Sequence, residues 1–114
     1  LFTGDAGEAS EKEMLNRPFS RAGLDRVTVL KVAHHGSASS SCREFLQAVR
    51  PDFAVISYGE GNSYGHPAAE TVKRIQETGA SLFETAADGA VTVGTDGKRI
   101  RIVPFRRRWD GQRR

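Results

Sequence analysis

Two apolar runs constrain this chain more than anything else in it: Val27-Thr28-Val29-Leu30-Lys31-Val32-Ala33 and Asp52-Phe53-Ala54-Val55-Ile56-Ser57-Tyr58. Each is short, rich in β-branched or aromatic residues and nearly free of charge, which is the pattern of a largely buried strand. Between them, Ser41 to Val49 carries a helical stripe of Phe45, Leu46 and Val49, with serines ahead of it suited to N-capping. After the second run, a glycine-rich turn from Gly59 to His66 leads into a helix predicted from Pro67 to Glu77. Proline suits a first helical turn, Val72, Ile75 and Ala69 are expected inside, and Gly79 ends the helix.

The flanks fill in the order. Leu1 to Thr3 reads as a short strand broken by Gly4. Residues 8 to 16 read as a helix with acids in its first turn and with Met14 and Leu15 inward; it stops at Arg17-Pro18. Ser81 to Glu84 is a further strand. Ala90 to Thr95 and Arg99 to Val103 flank Asp96-Gly97, a two-residue hairpin signal. Strands alternating with helices predict an α/β fold (α+β in some schemes) whose sheet layers are covered by helices on one face. The 114 residues suffice for one small domain. An apolar strand end at Leu1 is expected to have neighbours in preceding residues, so the chain reads as part of something larger.

Charge divides the chain unevenly. Residues 98 to 114 hold eight Lys or Arg against one Asp, a net of +7, and residues 1 to 97 hold nine against thirteen acids, a net of -4. A basic end from residue 104 onward can draw a polyanion closer or simply solubilise the chain. Phe105 and Trp109 are expected to pack back onto the domain. The single Cys42 excludes an internal disulfide and a cysteine-rich metal site, and it reads as a buried small residue. There is no phosphate-binding Walker loop, no dinucleotide fingerprint and no zinc-finger spacing. No apolar run approaches the roughly 18 residues needed to cross a bilayer.

The polar motifs all sit where strands end. Thr3-Gly4-Asp5 comes after the first strand, His34-His35-Gly36-Ser37 after the second, and Asn62-Ser63-Tyr64-Gly65-His66-Pro67 precedes a helix. Loops at strand ends are where α/β scaffolds place working residues. Asp5 can bind or bridge metal ions, or it can cap the turn before Glu8. His34 and His35, read as neighbours on extended backbone, are expected to point apart, one as a metal ligand and the other in support or on substrate. Ser37 offers a hydroxyl. His66, just before a helix, can bind a metal, hydrogen-bond a phosphoryl oxygen or protonate a leaving group. Asn62 and Tyr64 are candidate substrate-side donors, with a rigid turn closed by Asn62 and His66 as the alternative.

Taken together with Thr85, Asp88 and Gly89, these motifs resemble the second half of a metallo-β-lactamase-fold domain. The resemblance is nearest to the C-terminal hydrolase domain of the ComEC/Rec2 competence proteins and their stand-alone relatives, over residues 1 to 103. It implies a four-layer αββα sandwich with the site between its two sheets and residues 104 to 114 as a basic tail. It implies that Asp5 matches the bridging aspartate and that the His34-His35 pair holds the last ligand histidine, His35 by analogy with related phosphodiesterases. His66 matches a late loop histidine on the substrate side. The family's first-half His-x-Asp-x-Asp-His cluster has no counterpart in the chain, so the metal site, zinc or manganese and two ions when complete, requires a missing N-terminal half.

The activity so implied is metal-dependent cleavage of DNA phosphodiesters during uptake in natural competence, with His34, His66 and Asp5 catalytic. Alternatives are hydrolysis of small phosphodiesters or thioesters, and a non-catalytic DNA-binding or structural module. DNA is the implied partner, with a membrane-embedded parent region and a homo-oligomer as further ones. The implied setting is an inner-membrane protein with this domain outside the cytoplasm, or a cytoplasmic one for a stand-alone relative.

Overall fold

The computed structural model describes residues 1–17 and 23–106. Helix α1 spans Glu8–Asn16, strand β1 Val29–Lys31, helix α2 Arg43–Val49 and strand β2 Phe53–Ile56. Helix α3 comes next at Ala69–Glu77, strand β3 at Ser81–Glu84 and the one-turn helix α4 at Thr85–Asp88, before strands β4 (Val91–Thr95) and β5 (Ile100–Pro104). The two apolar runs do become strands, and they pair side by side and parallel. Leu30 lies opposite Ala54, and Val55 opposite Phe83, in a sheet of order β1-β2-β3. Phe2 adds a parallel bridge to Lys31, on the side of β1 away from β2.

Alternation along the strands divides two cores. Leu30, Val32, Ala54 and Ile56 face the helices and close on Phe45, Leu46, Val49 and Ile75, with Met14 and Leu15 packed alongside. Fully burying such side chains contributes roughly 1.5–3 kcal/mol each, so this face carries much of the fold's stability. Val55 and Phe83 turn the other way and meet Ile102, with Val29, Phe53 and Val91 around them. The antiparallel β4–β5 hairpin therefore covers the second face of the parallel sheet. The result is an α/β arrangement with helices, a parallel sheet and a hairpin in successive layers.

Several expectations need correction. The third helix starts at Ala69, not Pro67, because the proline is drawn against Gly36 instead; Ala69 is exposed, and Thr71 takes an inward place beside Ile75. No serine side chain caps α2. Its entry is capped by Glu11 of α1, whose carboxylate is fully buried and accepts the Ser41 N–H at 2.6 Å and the Cys42 N–H at 2.9 Å. The hairpin turn is longer than Asp96-Gly97: Asp96 Oδ1 accepts both the Lys98 and the Arg99 amide, so β5 begins only at Ile100. Phe105 is exposed rather than packed back, while Trp109 and the tail from Arg107 onward lie outside the described residues.

The expectation of a membrane protein is corrected as well. No helix among the described residues is long and apolar enough to cross a membrane. Helices α1 and α3 have nine residues each, or about 14 Å at 1.5 Å per residue, less than half of a ~30 Å hydrocarbon core.

Candidate functional site

The parallel strands end together, so the loops that leave them meet at one edge of the sheet. After β1, the backbone of His34 (φ 49°, ψ 43°), His35 (φ 54°, ψ 26°) and Gly36 (φ 79°) runs left-handed through three successive residues. Two of these are not glycine, and each such residue costs roughly 1–2 kcal/mol. The turn is held closed from several directions. His34 N–H donates to Gly4 O at 2.9 Å, Ser37 N–H to His34 O at 2.9 Å, and Ala68 N–H to Gly36 O at 2.9 Å. Strain concentrated at strand ends is a mark of functional positions.

Because the backbone is left-handed rather than extended, the two histidines do not diverge as expected. The ring of His34 lies 5.5 Å from that of His66, and the ring of His35 lies 6.4 Å from it at an interplanar angle of 26°. Tyr64 stacks on His66 in turn, at 6.0 Å and 16°. His34 and His66 are half-buried and His35 is exposed. A groove of ≈ 260 Å³ runs beside them, lined in part by His35, Ser57, Tyr58 and His66.

His35 Nδ1 lies 2.6 Å from the Ser57 carbonyl oxygen. A carbonyl only accepts, so Nδ1 is the donor, and in the neutral ring Nε2 is left as the acceptor. The loop that brings His66 is organised by Asn62. Its Nδ2 donates to Gly59 O (2.9 Å) and His66 O (2.6 Å), and its Oδ1 accepts the Tyr64 and His66 amides, both at 3.1 Å. All the hydrogen-bonding capacity of that side chain is spent inside the loop. Ser37 is likewise turned inward: buried, with Oγ 3.0 Å from Ser39 Oγ and its carbonyl accepting from Thr71 Oγ1 at 3.0 Å. Of the expected substrate-side groups, Tyr64 is the exposed one, 80% accessible.

Asp5 is exposed on the loop whose Gly4 carbonyl holds His34, which sets it at the same edge of the sheet. Its charge reaches Lys31, where burial lowers the ammonium pKa and Asp5 opposes that shift. Thr3 Oγ1 donates to Lys31 O at 2.9 Å and fixes the loop's root. Imidazole nitrogen and carboxylate oxygen are ligands that zinc and manganese accept. Among the described residues, however, no three His, Cys, Asp or Glu side chains are grouped closely enough to hold an ion. The donors fit such a metal in kind and fall short in number.

Sequence reading missed Tyr58 as a lining residue of the groove. Tyr58, two residues beyond β2, donates its hydroxyl to Glu84 Oε1 at 3.1 Å, and burial first and the Glu84 charge second raise the phenol's pKa. Asp88 is buried, and its Oδ2 accepts the Glu84 amide at 2.8 Å. Tyr58 and Glu84 lie 26 residues apart in sequence, and no local pattern signals the pairing.

Similarity to known proteins covers nearly the whole chain. It is 34% identical over 110 residues to competence protein ComA of Neisseria gonorrhoeae, spanning 92% of this chain and 16% of that protein. It is 35% identical over 91 residues to ComE operon protein 3 of Bacillus subtilis, spanning 80% and 11%. Recombination protein 2 of Haemophilus influenzae is 35% identical over 106 residues, spanning 93% and 13%. The chain therefore spans no more than 16% of the length of these curated relatives. No protein-family model and no solved structure matches it.

Proposed function

Since homology supports placing this chain with the competence proteins of the ComEC/Rec2 family, we propose that it supplies the second half of a metal-dependent hydrolase site that cleaves DNA phosphodiesters. The observation that carries this reading is that His35 and His66 line one groove with His34 against the His66 ring, the Nδ1 proton of His35 being committed to the Ser57 carbonyl. A histidine whose second nitrogen donates to a carbonyl is oriented as metal-binding histidines are. The parallel sheet with helices on one face and a hairpin on the other supports one side of an αββα sandwich, with the remaining strands and helices outside these residues.

In this reading Asp5 and His35 hold zinc or manganese, with His34 beside them, and further ligands come from another part of the polypeptide. When bound, such ions polarise a phosphodiester and lower the pKa of water. His66 is held by Asn62 through its own backbone, so its ring stays presented to the groove, where it can donate a hydrogen bond to a phosphoryl oxygen or a leaving group. Tyr64 flanks His66 as an exposed surface for the substrate. Asn62 and Ser37 act by shaping their loops.

The test is a nuclease assay of the long parent polypeptide with added zinc or manganese, beside its Asp5→Ala and His35→Ala variants. Each variant should lose on the order of 100-fold in metal-dependent cleavage. Equal activity in all three proteins would sink the assignment. DNA binding with steep salt dependence and no cleavage under any metal would replace it with a binding module.

A further inference from the structure

Strand β2 stops pairing at Ile56, so the Ser57–Tyr58 peptide lies beyond the ladder of the sheet. It is not left loose. The hydroxyl of Thr85 accepts the Tyr58 N–H at 3.0 Å and donates to the Tyr58 carbonyl at 3.1 Å. Both main-chain polar groups of Tyr58 thus end on one side-chain atom. The Tyr58 N–H and the Ser57 C=O belong to the same planar peptide unit, so fixing one fixes the direction of the other. That carbonyl is the one 2.6 Å from His35 Nδ1.

We propose that Thr85 is a positioning residue that selects the tautomer of His35. By clamping the Ser57–Tyr58 peptide, Thr85 aims the Ser57 carbonyl at Nδ1, keeps the proton there and leaves Nε2 as the acceptor. Lone-pair availability at Nε2 is then decided by a residue far away in sequence, across two strand ends of the parallel sheet. The inference deepens the hydrolase reading of the same groove, and it rests on that reading only for the use made of Nε2.

The chain has three histidines, so nitrogen-15 labelling of histidine yields three imidazole signal sets in a long-range proton–nitrogen spectrum. In the full chain above the imidazole pKa, His35 is expected as the Nδ1–H tautomer. Thr85→Val, nearly the same shape without the hydroxyl, is expected to lose that tautomer as the dominant form at His35 while His34 keeps its signals. Thr85→Ser should restore it. Thr85→Ala carries the same comparison should the valine variant not fold. A wild-type His35 protonated at Nε2 overturns the proposal. So does a folded hydroxyl-free variant with an unchanged His35 signature. Zinc titration of the parent-length protein and its Thr85→Val variant separates the two readings: a Thr85-dependent tautomer with no zinc-induced shift at His35 keeps Thr85 in its role and removes the hydrolase assignment.

Discussion

Gly36 and Pro67 are packed so closely that a Cβ on the glycine would lie 2.7 Å from the proline's Cβ and 3.3 Å from its Cα. Through this contact, with the Ala68 N–H bonded to the Gly36 carbonyl, the His66 loop is seated on the His34–His35 turn. The glycine also holds φ +79°, which side chains rarely adopt. Gly36→Ala is therefore expected to destabilise the fold by about 1–3 kcal/mol, combining strain with overlap. Urea unfolding measures the loss, and changed His66 ring shifts in the surviving folded fraction would show the two loops parting.

Glu11 joins two helices that are distant in sequence. Its carboxylate takes the Ser41 and Cys42 amides in a site with no solvent access. Glu11→Ala leaves both donors buried without a partner, and the expected cost is about 1–3 kcal/mol. Glu11→Gln keeps the shape but turns an amide NH₂ toward an N–H, and should cost nearly as much. A glutamine variant with the wild-type urea midpoint would contradict the capping role.

Asn62 is the hub of the loop that carries Tyr64 and His66. Asn62→Ala removes four hydrogen bonds, and the loop is expected to open locally with little effect on global stability. Hydrogen exchange checks this: protection should fall at the His66 amide and persist in β2.

Cys42 offers a test by pH. Burial raises its thiol from an ordinary 9.0 to about 11, with the Phe45 amide pulling the other way and the Glu11 carboxylate adding to the rise. The folded pKa lies above the unfolded one, so the thiol's contribution is fully present below about 9 and is lost as pH rises toward 11. Alkylation at about pH 8 should be much slower than for an unfolded control. Replacing Cys42 by alanine should flatten the decline in stability between these pH values.

Much of the architecture is legible in local pattern. The β-branched runs mark β1 and β2, and the spacing of Phe45, Leu46 and Val49 marks the buried face of α2, because burial of periodic apolar residues is a local signature. Misreadings fall where a distant partner overrides local preference. Pro67 is a good first residue for a helix, yet its contact with Gly36 holds it outside α3. The serines before α2 are good caps, yet a carboxylate 30 residues upstream takes their place. His34 and His35 look like extended strand residues, yet bonds to Gly4, Ser37 and Ala68 bound a left-handed turn.

The candidate site divides in the same way. Sequence alone determined that Asp5, His34, His35, Tyr64 and His66 lie in loops at strand ends, because residue type and strand boundaries are both written locally. Only the tertiary structure decided that the three imidazoles cluster around His66, that Asn62 and Ser37 turn their polar atoms inward, and that Ser57 bonds His35 while Thr85 holds the adjoining peptide. The reason is physical: parallel pairing brings together strand ends separated by a helix and two loops, and hydrogen bonds between those ends have no periodicity along the chain.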